Sequence, residues 1–165
     1  MNFKETNFNL KIILIEPNGP INIGSIARLC SNFNVDQLRI VSPKCDINSL
    51  ETKKMALKGM KYITECTIYE SLIDSISDCD LVLATCGRID YQKGYELDSL
   101  ENISSWTKNF KELKNLAILF GREDRGLTNK ELLMAHKVFT INTHKNFPSL
   151  NLSHAVSIVL YELSK

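Results

Sequence analysis

Short apolar runs rich in strand formers recur along this chain, and the segments between them carry helical periodicity. Lys11-Ile-Ile-Leu-Ile15, Gln37-Leu-Arg-Ile-Val41, Leu81-Val-Leu-Ala84, Leu116-Ala-Ile-Leu-Phe120 and Val138-Phe-Thr-Ile141 have the length of buried strands and are too short for core helices. Ile68-Tyr69 adds a shorter strand. Helices are expected over 22–33, 50–60, 71–77 and 100–113, from Thr128 onward, and over 155–163. Strands alternating with helices predict an α/β fold: a mainly parallel sheet with helices on both faces. Ligands of such sheets gather in loops beyond the carboxyl ends of the strands. With 165 residues, the chain is most simply one domain, 1–165.

Three loops following strands are therefore the places to look. Thr85-Cys-Gly-Arg88 is the first. Phe120-Gly-Arg-Glu-Asp-Arg-Gly126 is the second; Gly121 ends its strand where a side chain would block a close approach. Thr128 then caps the next helix, with Glu131 completing a capping box. The third, 142–151, leads into Ser149-Leu-Asn-Leu-Ser153, where Asn151 or Ser153 caps the last helix. Near the N-terminus, Glu16-Pro-Asn-Gly-Pro20 is a rigid turn and Asn22 a candidate N-cap. Arg28 sits between Ala27 and Leu29, on an exposed face or committed to an anion. Lys53, Lys54, Lys58 and Lys61 form the densest basic cluster. On a helix that is ordinarily a solvated face, and here it is also a phosphate-contact candidate. Trp106 reads as core or interface, and 89–98 as a polar loop.

Composition narrows the options. A net charge of +1 gives no bulk argument for nucleic acid, so a polyanion must meet a local patch. The five cysteines lack CxxC pairing and the three histidines complete no metal spacing. Free thiols in a reducing cytoplasm, and no metal, are expected. No apolar run has the length of a signal core or a membrane span. There is no GxGxxG after the first strand and no GxxxxGK[ST], so the phosphate-binding glycines of dinucleotide folds and phosphate-loop NTPases are missing.

Taken together, Asn22-Ile-Gly-Ser-Ile-Ala-Arg28, Phe120-Gly-Arg-Glu-Asp-Arg-Gly126 and Ser149-Leu-Asn-Leu-Ser-His-Ala155 resemble the three motifs of the SpoU (TrmH) branch of the SPOUT RNA methyltransferases, in order and spacing. The likeness runs over 11–163. Residues 81–88 and Leu127-Thr-Asn129 are most similar to TrmJ-type tRNA ribose methyltransferases. Ser153-His-Ala-Val-Ser-Ile-Val-Leu-Tyr-Glu162 is similar to the small TrmL-type wobble enzymes.

The resemblance implies a deep C-terminal trefoil knot, an obligate homodimer and S-adenosylmethionine held in a bent form. Thr85, Cys86, Gly87, Gly121, Ile141, Ser149 and Leu150 would line the cofactor site. The implied reaction is 2′-O-methylation of RNA, best read as a cytidine or uridine of tRNA. Arg28 matches the family arginine assigned to the acceptor. A guanidinium stays protonated, so its role is to hold a phosphate and stabilise negative charge developing on the ribose oxygen. Glu123 would orient Arg28, from its own or the partner subunit, or meet the cofactor's ammonium. Asn151 and Ser149 would position the acceptor ribose. Arg122, Arg125 and the lysines over 50–61 are candidates for the tRNA backbone. TrmJ-type relatives commonly carry a C-terminal extension that grips RNA. With the sequence ending at Lys165, a short TrmL-like or unassigned specificity gains weight. The alternatives are an rRNA ribose methyltransferase, a base methyltransferase, and a non-catalytic RNA-binding module on the same fold.

Overall fold

The computed structural model describes residues 8–87, 95–110 and 112–165. Seven strands form one sheet in the order β3-β2-β1-β6-β4-β7-β5. They are β1 (Asn9–Ile15), β2 (Gln37–Val41), β3 (Thr67–Tyr69), β4 (Leu81–Thr85), β5 (Leu97–Ser99), β6 (Asn115–Phe120) and β7 (Lys137–Thr140). Every pairing among them is parallel. The helices are α1 (Pro20–Phe33), α2 (Leu50–Ala56), α3 (Met60–Thr64), α4 (Leu72–Ile76), α5 (Leu100–Thr107), α6 (Asn129–Leu132) and α7 (Leu152–Leu163).

Alternation along β1 divides the core in two, because successive strand side chains point to opposite faces. Leu10, Ile12 and Leu14 pack under α1, α3, α5 and α7, with Ile23, Ile26, Tyr62, Ile103 and Val156. Ile13 and Ile15 face the other way, toward Leu72 of α4 and Leu132 of α6. Lys11 shares this second face and is 5% exposed. No described helix is long and apolar enough to cross a membrane.

Several expected boundaries shift, each for a physical reason. Helix α1 begins at Pro20, whose missing N–H costs nothing in a first turn. Gly19 is therefore the N-cap, with no side-chain cap of its own, and Asn22 lies inside the first turn. The helix expected over 50–60 breaks after α2. Leu57 takes φ 48° and ψ −120° there, and a 3₁₀ turn over Leu57–Gly59 leads into α3. The break lets Gly59 press against α1, where a Cβ would stand 2.4 Å from the Ala27 carbonyl oxygen and 2.6 Å from the Arg28 nitrogen. Gly24 makes the reciprocal approach, 2.4 Å from the Thr52 carbonyl oxygen by the same measure. The helix expected over 100–113 stops at Thr107. Of the expected polar loop 89–98, β5 claims Leu97 and Asp98, and 88–94 lies outside the described residues. Thr128 and Glu131 form the expected capping box, and Asn151 rather than Ser153 caps α7.

Candidate active site

The carboxyl ends of β4, β6 and β7 open onto a cavity of about 560 Å³, within the range of small-molecule sites. All three loops singled out in the sequence reach it. Thr85, Cys86 and Gly87 contribute one wall, Gly121 and its loop a second, and Ile141, Ser149 and Leu150 a third. The seven residues expected to surround a cofactor thus meet in one place. Glu123 also lines the cavity, whereas Arg28 and Asn151 do not.

The Gly121 loop is closed on itself. Arg122 N–H donates to the Gly126 carbonyl at 3.3 Å, and Gly126 N–H returns a bond to the Arg122 carbonyl at 2.9 Å. Gly126 has φ +68°, and a Cβ on Gly121 would lie 2.2 Å from the Gly126 carbonyl carbon. Only glycine permits that closure. The loop is then tied down by charge. Arg122 donates through both terminal nitrogens to Glu131 at 3.0 Å, and through Nε to Glu16 at 2.5 Å. Arg122 holds the Glu16 carboxyl below the usual range. At Glu131, burial works to raise the carboxyl, but Arg122 and the Thr128 amide outweigh it and keep it low. Arg122, a candidate for RNA backbone from sequence, therefore serves the fold: its side chain is 10% exposed and engaged on both edges. The loop over 142–150 is braced more lightly, by Phe147 N–H on the His144 carbonyl at 3.0 Å and Thr143 Oγ1 on the Pro148 carbonyl at 3.2 Å.

Glu123 does something the sequence did not suggest. Its carboxylate accepts from the backbone N–H of Asn18 at 3.1 Å and of Gly19 at 2.9 Å, and from Asn22 Nδ2 at 3.2 Å. These are orphan donors at the start of α1, whose own N-cap is a glycine, so a carboxylate from a distant loop caps the helix. Asn22 Oδ1 in turn accepts from Asn151 Nδ2 at 3.0 Å. Asn151 Oδ1 accepts from Ser153 and His154 N–H at 2.9 and 3.4 Å, capping α7. Asn22 thus joins two expected site residues, Glu123 and Asn151. The sequence marks it only as a cap, because these partners lie 101 and 129 positions away.

Arg28 lies elsewhere. Six residues beyond Asn22, it sits about 9 Å along α1 and about 240° around it. It is exposed and pairs with no described carboxylate. No hydrogen bond joins it to Glu123 among the described residues, so the expected Glu123–Arg28 contact is not made within this chain. Nor do three metal-ligating side chains gather among the described residues.

The cavity suits a ligand read largely by backbone. A Cβ at Gly87 would meet nothing within 4 Å, leaving open space beside the end of β4. Arg122 and Glu123 also line the cavity, with their charged groups already engaged by Glu131 and by the Gly19 amide.

Comparison with known proteins agrees with this architecture. The chain belongs to the SpoU rRNA Methylase family, whose pattern matches residues 9–161. It is 39% identical over 155 residues to the tRNA (cytidine-2'-O-)-methyltransferase TrmJ of Sulfolobus acidocaldarius, covering 93% of this chain and 64% of that protein. The solved structure of TrmJ from Z. mobilis ZM4 superposes with a TM-score of 0.84 at 28% identity, over 93% of this chain and 68% of that one. A chain solved in work on the 2-OH methylation of C/U34 on tRNA matches with a TM-score of 0.71 at 26% identity, over 93% of both chains. The chain thus spans about two thirds of the TrmJ proteins it matches.

Proposed function

We propose that this chain is an S-adenosylmethionine-dependent RNA ribose 2′-O-methyltransferase, acting on a cytidine or uridine of tRNA in the cytoplasm. The observation that carries the reading is the meeting of Thr85, Cys86, Gly87, Gly121, Ile141, Ser149 and Leu150 around one cavity at the carboxyl ends of parallel strands. The 2′-O-methyltransferase names of the relatives point to the same reaction.

The seven residues would hold the cofactor mainly through main-chain groups. When bound, it supplies an electrophilic methyl group on a sulfonium, itself an excellent leaving group. The chain's own work is then alignment and charge. Arg28 holds a phosphate beside the acceptor through its guanidinium and stabilises negative charge building on the 2′-oxygen. Ser149 and Asn151 hold the ribose at the cavity mouth. Glu123 acts by fixing the N-terminus of α1, the helix that carries Arg28.

A homodimer belongs to this reading. Arg28 is exposed and does not line its own chain's cavity, which suits a site completed by a second copy. Ile21 on α1 and Ile158 and Tyr161 on α7 are exposed on two helices that pack together, an apolar face for that copy to cover. The trefoil knot and a single methyltransferase domain over 1–165 belong to it too; β6 entering between β1 and β4 is the strand order that supports the knot.

The test is transfer of labelled methyl from S-adenosylmethionine into tRNA and rRNA from a strain lacking this protein, with the product nucleoside identified by mass spectrometry. A 2′-O-methylated pyrimidine nucleoside from tRNA is the expected product. The same product from rRNA would move the substrate, and a methylated base would overturn ribose chemistry. Neither transfer nor cofactor binding would leave only a binding module.

A further inference from the structure

Cations in this protein divide into those with a carboxylate partner and those without. Lys11 and Arg39 share Asp78; Arg122 has Glu16 and Glu131; Lys137 has Asp98; Lys165 has Glu162. Lys53, Lys54, Lys58 and Lys61 are all exposed and pair with no described carboxylate. Lys61 Nζ lies over the Tyr62 ring at 4.9 Å. Glu51 in α2 and Glu65, the C-cap of α3, are exposed and form no ion pair with any of them. Exposed like charges on adjoining turns repel, and an anion lying across them relieves that repulsion.

The backbone brings this cluster to Arg28. Gly59 abuts the Ala27 carbonyl and the Arg28 nitrogen, so Lys58 and Lys61 lie on either side of the point where the turn meets α1. Gly24 seats α2 against the same helix one turn earlier. Leu57 holds a backbone conformation that L-residues rarely adopt, and it is this bend that lets Gly59 in. Strain kept at a bend calls for a functional reason.

We propose that Lys53, Lys54, Lys58 and Lys61 form a track for the RNA phosphate backbone, leading to Arg28 across the α1–α2–α3 face. This rests on the RNA methyltransferase reading and adds the surface along which the substrate lies. Phosphate contacts of this kind carry no base information; they set register and orientation. A chain of net charge +1 binds a polyanion this way by gathering unneutralised lysines on one face beside Arg28.

The experiment compares two triple variants of the full chain, Lys53→Gln/Lys54→Gln/Lys58→Gln and, as an equal change in charge, Lys108→Gln/Lys114→Gln/Lys130→Gln. Binding of unfractionated tRNA is measured against salt, beside S-adenosylhomocysteine binding, thermal melting and sedimentation. Expected is a loss of tRNA affinity of at least tenfold in the first variant, with the slope of log K against log salt smaller by about 2 to 3. The second variant should lose less than threefold, and melting and cofactor affinity should hold in both. Equal losses in the two variants would overturn the track. So would a first variant that binds tRNA normally while the wild-type protein methylates it, which leaves the enzymatic reading standing. Weakened self-association with unchanged tRNA affinity would make the face an interface between copies. A wild-type protein that neither binds nor methylates tRNA removes both proposals together.

Discussion

Arg122 and Arg28 are chemically identical and do opposite things. Arg122 is buried to its guanidinium and clasped by two carboxylates that anchor the Gly121 loop to the end of β1 and the start of α6. Arg28 stands exposed on α1 with no described carboxylate near enough to pair. The same contrast separates the Lys11–Arg39–Asp78 group under α4 from the lysines of α2 and α3. Both sets are equally basic in sequence. What distinguishes them is whether the fold has already supplied the counter-charge: a paired cation has its ligand, and an unpaired one keeps its charge free for an outside anion.

The sharpest break in that comparison is functional. Arg28→Ala should cut methyl transfer by about 10²–10³-fold, with cofactor affinity within a few fold and an unchanged unfolding midpoint. A large stability loss would place Arg28 with the paired class. Arg122→Met should do the reverse and destabilise by about 3 kcal/mol in urea unfolding, because Glu16 and Glu131 lose their cation. Cofactor affinity should fall with it as the Gly121 loop loosens. Unfolding midpoints that coincide for the two variants would erase the distinction.

Asp78→Asn strips the counter-charge from Lys11 and Arg39, which are 5% and 4% exposed. Asp78 is itself half exposed, so the expected loss is about 2 kcal/mol, below that for a fully buried pair. The pH dependence follows from the same group. Arg39, with Lys11, holds the Asp78 carboxyl well below the usual carboxylate range. Its contribution is fully present above the unfolded value of about 4 and is lost as pH falls toward the folded one. Urea midpoints should therefore drop below about pH 4 in the wild type and respond less in Asp78→Asn. The smallest change is expected for Leu57→Gly, a gain of up to about 1 kcal/mol as the left-handed strain is relieved.

Much of this could be seen in the sequence where the signal is local. The apolar runs of β1, β2, β4 and β6 announce themselves, as do the Thr128–Glu131 capping box and the glycine that lets the 121–126 loop close. The three loops were expected to share an edge because parallel sheets align their carboxyl ends, and they meet at the cavity. What escaped was set by tertiary partners. β5 is three residues containing an aspartate, and only its register against Val138–Thr140 makes it a strand. The break at Leu57 exists because α1 lies close beside it. Glu123 could not be read as the cap of α1, because its loop reaches that helix only once β6 lies beside β1.

That adjacency also sets a clock. Asn9 of β1 is in register with Asn115 of β6, 106 positions further along. At about 5–20 residues per second of synthesis, β1 emerges roughly 5–20 seconds before the strand that will cover its second edge exists. During that interval β2 alone is available to it, and Leu10, Ile12 and Leu14 have no central sheet to complete. A parallel order built from such distant neighbours folds late and slowly, so the newly made chain depends on keeping that edge unoccupied until Phe120 has been made.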